Sequence, residues 1–367
     1  MSRNDNGTLR RSIEVEYWVI DDEGRLVEPG ALVDASPGAE REFVEPLLEI
    51  KTTPCETARE LREELLDRVG AVLRRAEELG MGLVPLSTPI HAGELPDHPN
   101  ERTRIQDRIV GDRFEYVRHC AGTHVHFEQH PGRVVDQLNA LTAMDPALAL
   151  VNSSSHFRGA PLAAGARSRL YRRMAYQELP YQGRLWSYVD STEEWHQRTE
   201  RRYEELLEKA ATAGIAAETV EAHFDPESAV WIPVKLRERF STVEWRTPDT
   251  ALPSEVLRLA DELADVLEGL ESLDVEIGGE GRRTDDRLLL PEFDALRRYV
   301  DDAIDDGVTA PVDSYLRRMG FDVDAYDPTT EELPSGRITE REARRLRLSH
   351  SERLESDVRT VKKVHGD

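Results

Sequence analysis

A chain of 367 residues with 72 Asp plus Glu against 48 Lys plus Arg, a formal charge of −24, has room for one large domain or two ordinary ones. That charge argues against nucleic acid and anionic membrane surfaces as partners, because both need a basic footprint. No apolar run approaches the ~18 residues of a spanning helix, the start Met1 to Gly7 is polar, and Cys55 and Cys120 make no disulfide framework, so a cytoplasmic protein is expected.

Strand and helix signals interleave along the chain. Arg11 to Ile20 alternates, with Ile13, Val15 and Tyr17 on one face and Glu14 and Glu16 on the other. Phe43 to Thr52 reads as a second strand. Glu56 to Gly80 reads as a long amphipathic helix, with Leu61, Leu65, Val69, Val72, Leu73 and Ala76 at helical spacing and Gly80 as its stop. Gly82 to Ser87 is a short strand and Gly122 to Glu128 alternates again. Helices are predicted over Pro131 to Asn152, Arg198 to Gly214 and Leu252 to Leu273, and Val230 to Arg237 pairs with Thr242 to Arg246 through a turn near Glu238. From Pro291 onward the pattern is helical, with a polar loop near Asp327 to Gly336. Glu276 to Arg287 is the most linker-like stretch.

The expected architecture is α+β: a mostly antiparallel sheet with helices on one side. Residues 1–10 read as a flexible N-terminus, 11–275 as the main domain, and 276–367 as a helical region packed on it. Only five of the 48 basic residues are lysine, and the acids are spread over the whole chain. Both features suit a protein adapted to molar salt, where the Debye length is only ~3 Å. An acidic face for a basic partner is the alternative.

Four segments carry candidate chemistry. Glu14 and Glu16 share a strand face, where two carboxylates repel and raise each other's pKa unless a cation lies between them. A solvated strand face explains them equally well. Glu42, Glu45 and Glu49 surround the apolar run Pro46-Leu47-Leu48, and a buried Glu is rare unless paired or metal-bound. His124 and His126 share a face behind the small Gly122. Glu244 and Arg246 share another, followed by Asp249, with a cross-strand ion pair as the plain reading.

A sheet face gathering this many carboxylates needs divalent cations, and oxygen-rich sets with a His suit Mg²⁺ or Mn²⁺ rather than structural zinc. Such metals with an Arg point to phosphoryl transfer from ATP. Neither a P-loop nor a dinucleotide fingerprint is present; Gly278-Gly279-Glu280-Gly281 lacks the strand and helix context. Both cysteines read as small buried residues.

The ordered set Ile13-Glu14-Val15-Glu16, Glu45-x-x-Leu48-Glu49-Ile50, Asn100-Glu101-Arg102, Gly122-x-His124-Val125-His126, Ser168-Arg169 and Thr242-Val243-Glu244-x-Arg246-x-x-Asp249-Thr250 resembles the glutamate–cysteine ligase type 2 (carboxylate–amine ligase) family from about residue 11 to 275. The resemblance implies a curved antiparallel funnel of glutamine synthetase-like type. It also implies that ATP phosphorylates the γ-carboxylate of glutamate and that the amine of cysteine attacks the acyl phosphate, giving γ-glutamylcysteine. By that resemblance Glu14, Glu16, Glu42, Glu49, His124 and Glu244 would ligate the metal. Arg246 would stabilise the transferring phosphoryl group, with Glu45 as a supporting acid and Arg102 as a clamp on a substrate carboxylate. Arg246, Lys235, Ser168 and Arg169 would contact ATP, and His126 would orient a ligand. Ser153 to Gly159 would form a loop over the site or a plain helix-terminal turn. One departure stands out: Trp231-Ile232-Pro233-Val234-Lys235-Leu236 replaces a Trp-Asp-Ile-Arg-Pro-like stretch, so the Asp is missing and Lys235 stands near an expected Arg. The partners implied are small molecules, and a homo-oligomer is compatible. A same-mechanism ligase for another amine, a two-metal hydrolase and a non-catalytic acidic binding protein are the competing expectations.

Overall fold

A computed structural model describes residues 8–98 and 100–365 of the chain. A seven-stranded sheet forms its centre. Its strands are β1 (Arg11–Asp21), β2 (Ala39–Arg41), β3 (Leu47–Lys51), β4 (Met81–Val84), β5 (Thr123–Glu128) and, after the two-residue ribbon β6 (His156–Phe157) and β7 (Ala160–Pro161), β8 (Val234–Arg237) and β9 (Thr242–Trp245). The order is β2-β3-β1-β5-β9-β8, with β4 beside the C-terminal half of β1, and every pairing in this sheet is antiparallel.

Alternation decides which way each side chain points. Ile13, Val15 and Tyr17 of β1 are fully buried, as are Leu48 and Ile50 of β3, and they join Val125, Phe127, Val243 and Trp245 in one apolar cluster. Side-chain period in a strand is two, so burying that set turns Glu14 and Glu16 to the opposite face. Helix α1 (Ala58–Leu79) covers the apolar face. Thr57 caps its start by accepting the Glu60 N–H, and Gly80 ends it at φ 65°. Leu61, Leu65, Val69, Val72 and Ala76 form its buried stripe. Truncating Leu65, which is fully buried, would cost roughly 2–5 kcal/mol.

The connection from β4 to β5 carries α2 (Glu101–Val110) and α3 (Phe114–Arg118), neither of which the hydrophobic pattern announced. Helix α4 (Val134–Ala143) ends earlier than expected and continues as a buried 3-10 turn over Asp145–Val151, because Pro146 offers no N–H for an α-helical bond. Then follow α5 (Ala166–Arg169), a π-turn at Leu170–Ala175, α6 (Thr192–Thr212), α7 (Ala217–Glu221), α8 (Pro226–Ala229) and α9 (Pro253–Gly269).

Two readings of the sequence are corrected. The second strand starts at Leu47 rather than Phe43, since Pro46 cannot donate to the ladder and Leu47 N–H closes a turn onto the Val44 carbonyl at 3.1 Å. The linker-like stretch instead holds a small sheet of β10 (Asp274–Ile277), β11 (Arg282–Arg283) and β12 (Arg287–Leu290), with β10 and β12 parallel. Helices α10 (Phe293–Asp305), α11 (Ala310–Met319) and α12 (Glu340–His365) follow, and Leu296, Leu316 and Leu354 belong to the main apolar cluster. Of the expected loose N-terminus, residues 1–7 lie outside the described residues. Leu9 is buried with its N–H on Glu268, and the Arg10 guanidinium pairs with Glu128 at 3.1 Å. No helix among the described residues is long and apolar enough to cross a membrane.

Candidate active site

The polar face of the sheet lines up its charged residues by register. Glu14 lies opposite Lys51 of β3 and His124 of β5, and Glu16 lies opposite Glu49. His126 lies opposite Glu244 of β9, which in turn faces Lys235 of β8. This face floors a cavity of about 490 Å³, walled by Phe43, Arg102, Phe114, Tyr171, Tyr176 and Trp231. Glu14, Glu16, Glu42 and Glu49 gather with His124 on the β1–β3–β5 side; Lys235, Arg237 and Arg246 come from the β8–β9 side.

Three overlapping sets of groups stand within metal-binding range. Glu14, His126 and Glu244 can each offer an atom within 4.8 Å of the others, as can Glu14, Glu49 and His124, and Glu16, Glu42 and Glu49. The electrostatics of a chain without an ion show why a cation suits them. Burial and the neighbouring Glu49 push Glu16 up to about 7, and burial with Glu16 pushes Glu42 up to about 8. Glu49 is raised as well by burial and Glu42, although Lys51 Nζ stands 2.6 Å from it. Burial and Arg246 push His124 down to about 4, which leaves a neutral imidazole, the form that coordinates metals, at neutral pH. The Nε2 atom of buried His126 has no hydrogen-bond partner and points between Glu14 Oε1 at 3.6 Å and Glu244 Oε1 at 3.7 Å. An unpartnered nitrogen between two carboxylates, beside hard oxygen donors, fits a divalent cation of the Mg²⁺ or Mn²⁺ type.

The basic side is held rigidly. Glu244 is fully buried; it accepts from Arg237 Nη1 at 2.6 Å and from Arg246. Burial and the two arginines pull the Lys235 ammonium down to about 7, while its Nζ donates to the Glu227 carbonyl at 2.7 Å. Behind the site, buried Asp145 accepts from Arg172 at 2.7 and 2.9 Å, from Trp245 Nε1 at 2.9 Å and from Thr247 Oγ1 at 2.6 Å, tying the π-turn to the end of β9. Arg167 donates to the carbonyls of Thr247 and Arg246 and lies flat on Gly122, where a Cβ would stand 2.1 Å from its Nη2. That close approach requires glycine before the two histidines. The Gly122 N–H donates to Glu16 at 2.6 Å.

The structure therefore brings Glu14, Glu16, Glu42, Glu49, His124, Glu244, Lys235, Ser168, Arg102 and Arg246 to one cavity or its immediate wall. Two candidates fall elsewhere. Glu45, just before Pro46, lines a separate cleft with His91 and Arg347. Arg169 points away to Asp305 of α10 at 2.8 Å, so of the Ser168-Arg169 pair only Ser168 lines the cavity. Arg102 does line the wall, but its guanidinium donates to the carbonyls of His223 and Ser228 and stacks over Phe224 at 4.3 Å. Ser153 to Gly159 is not a loop over the cavity: Ser153 N–H is held by Asp249 at 3.0 Å and His156 bonds the Gly336 carbonyl. Asp249 is itself buried, which pushes it up to about 6.

Sequence reasoning passed over Lys51, Arg237, Arg167, Tyr171 and Arg172. Lys51 and Arg237 share strand parity with Glu49 and Lys235 and were findable that way. Arg167, Tyr171 and Arg172 arrive through α5 and the π-turn, which no local pattern announces.

The fold and site define an α+β protein whose antiparallel sheet carries a carboxylate–histidine face opposed by arginines. The family model described as glutamate–cysteine ligase family 2 matches residues 12–332, and the chain belongs to that family. A protein of Corynebacterium efficiens, provisionally named glutamate–cysteine ligase 2-1, is 28% identical over 253 residues, covering 65% of this chain and 60% of its own length. One from Chloroflexus aggregans, provisionally named glutamate–cysteine ligase 2, is 24% identical over 257 residues, covering 66% and 60%. The chain thus spans about 60% of the length of these curated relatives. Among solved structures, the bifunctional glutathione synthetase of Pasteurella multocida superposes with a TM-score of 0.53 at 16% identity, over 98% of this chain and 50% of that one. The glutamate–cysteine ligase of Francisella tularensis gives 0.50 at 13% identity, over 97% and 82%. At these identities the likeness is one of fold.

Proposed function

We propose that the chain is an ATP-dependent carbon–nitrogen ligase that joins the γ-carboxylate of glutamate to an amine, with cysteine as the first candidate, giving γ-glutamylcysteine. One observation carries this reading: Glu14, Glu16, Glu42, Glu49, His124 and Glu244 meet Arg246, Arg237 and Lys235 around a single cavity, in a member of glutamate–cysteine ligase family 2.

The physical demand of the reaction matches the residues. A carboxylate and a triphosphate repel each other, so their charge must be neutralised before an oxygen of one reaches a phosphorus of the other. Mg²⁺ or Mn²⁺ ions held by the three overlapping sets (Glu14 with His126 and Glu244, Glu14 with Glu49 and His124, and Glu16 with Glu42 and Glu49) would supply that neutralisation. Arg246, fixed by buried Glu244, aims a guanidinium at the developing charge on the phosphoryl oxygens without reorganising. Lys235 and Arg237 extend the same positive wall to the phosphates. In the first step a γ-carboxylate oxygen attacks the terminal phosphorus and the bond to ADP breaks. In the second the amine nitrogen adds to the acyl carbon and gives up a proton to solvent, and the acyl C–O bond breaks with its electron pair leaving on phosphate. Little covalent chemistry is asked of the protein, and positioning does most of the work. The substrates are small molecules and the expected setting is the cytoplasm.

The test is ADP release from the protein incubated with ATP, Mg²⁺ and glutamate, with amines added one at a time. ADP release that needs glutamate and rises with cysteine supports the full reading. A rise with a different amine moves the acceptor and keeps the ligase. Turnover of a phosphoester or amide without ATP would favour the two-metal hydrolase, and no ADP in any mixture would overturn the ligase reading.

A further inference from the structure

On the far side of α5 and the π-turn lies a second cavity, of about 760 Å³, a size that accommodates a mononucleotide. In a chain of net charge −24, seven arginines line it and a single acid, Asp301. Four of the arginines are already committed, Arg202 among them through Glu205 at 2.7 Å. Arg172 is bonded to Asp145, Arg173 to Asp301 and Asp305, and Arg198 to Glu194 and two carbonyls. Three face the space with little neutralisation. Among the described residues no carboxylate stands within 4.0 Å of Arg184 or Arg201. Arg297 meets Asp294 only at 3.9 Å. Arg202, whose Nη1 stands 2.7 Å from Glu205 Oε1, lies 3.8 Å over the ring of Tyr181.

Clustered guanidiniums repel one another unless an anion joins them, and planar guanidiniums bind phosphate through paired hydrogen bonds. The same cavity offers flat aromatic surface from Tyr181, Trp186 and Phe293, and Tyr181 is half exposed. We infer that this cavity is a binding site for a phosphorylated small molecule carrying a planar ring, of the mononucleotide class, separate from the metal-dependent site. Arg172 lines both cavities, and through Asp145 it touches Trp245 and Thr247 at the end of β9. Occupancy of the arginine cavity therefore has a direct mechanical route to the strand that carries Glu244 and Arg246.

The experiment is calorimetric titration of the full chain with ADP in EDTA, at the lowest KCl that keeps the protein folded. Removing divalent metal takes from the carboxylate site the cation that would draw a nucleotide's phosphates, the Arg184/Arg201 double variant separates binding at the arginine cavity from binding at Lys235 and Arg246, and no turnover is needed. The expected result is one ADP per chain, weakened about tenfold or more in the double variant Arg184→Ala/Arg201→Ala and unchanged in Glu16→Gln. Both arginines are exposed, so the double variant should fold, and an unchanged melting temperature verifies this. No saturable binding in EDTA, equal affinity in the double variant, or loss of binding in Glu16→Gln would each overturn the inference. None of these outcomes bears on whether the carboxylate site ligates glutamate.

Discussion

Replacing Glu42 by glutamine should stabilise the metal-free protein at alkaline pH and weaken the Mg²⁺-loaded one. Burial, with Glu16 beside it, pushes Glu42 up to about 8 from an ordinary 4.5. A carboxyl whose folded pKa lies above its unfolded value keeps its proton in the fold while the unfolded chain gives it up. Its effect on stability is therefore nil below about 4.5 and grows more unfavourable as pH rises from there to about 8. One pKa unit is worth about 1.4 kcal/mol. Glu42 keeps an edge open to the cavity, and solvent screening there trims the full shift to an expected penalty of about 3 kcal/mol at pH 8.5. Glutamine stands in for the protonated acid and removes the penalty. Taking the difference between wild type and variant cancels His124 and Lys235, which titrate in both proteins, while Glu49, which burial and Glu42 push up, is relieved in the variant and adds to the difference in the same direction. The assay is thermal unfolding in EDTA at fixed KCl, at pH 5 and at pH 8.5, repeated with Mg²⁺. Near pH 5 the two proteins should lie within about 1 kcal/mol. At pH 8.5 the variant should melt higher by on the order of 5 °C, and Mg²⁺ should reverse the order, because the variant has lost a ligand. A wild type more stable than the variant in EDTA at pH 8.5, or an equal response to Mg²⁺ in both proteins, would refute the reasoning.

Gly122→Ala should displace Arg167 from the carbonyls of Thr247 and Arg246. The expected cost is about 1–3 kcal/mol in the unfolding free energy read from urea denaturation, with a raised KM for ATP. Glu244→Gln should abolish ligation and cost roughly 3–5 kcal/mol, since it leaves Arg237 and Arg246 facing each other without their anion. Glu45→Gln and Arg169→Ala, outside the cavity, should keep turnover within about twofold of wild type. With a charge of −24, the melting temperature should climb between dilute and molar KCl as repulsion is screened; a temperature indifferent to KCl would remove the case for salt adaptation.

Where side chains alternate on strands, the site was legible from the sequence. Ile13, Val15 and Tyr17 had to be buried, so Glu14 and Glu16 had to share the other face, and the same logic placed His124 with His126 and Glu244 with Arg246. The logic failed at Glu45 because it treated Phe43 to Thr52 as one continuous strand, whereas Pro46 breaks the ladder and sends Glu45 to another cleft. It had nothing to work with at Arg167, Tyr171 and Arg172, which reach the cavity through a π-turn anchored by Asp145 far away in sequence. The small sheet of β10, β11 and β12 escaped because Glu276 to Arg287 mixes glycine with charges, and its pairing partner is Leu288 to Leu290 beyond it. Charge placement behaves similarly. Net charge describes how the chain meets its solvent, and the arginine cavity, opposite in sign to the whole, emerges only once α6 and α10 are brought beside the π-turn.

The central claim is that a glutamate γ-carboxylate is activated as an acyl phosphate on the carboxylate–histidine face. Hydroxylamine supplied with ATP, Mg²⁺ and glutamate, in the absence of any amino-acid acceptor, measures this directly. The account predicts γ-glutamyl hydroxamate formed in step with ADP, and lost in Glu49→Gln and in Arg246→Ala. ADP released without hydroxamate, or hydroxamate formed equally well by those variants, would contradict it.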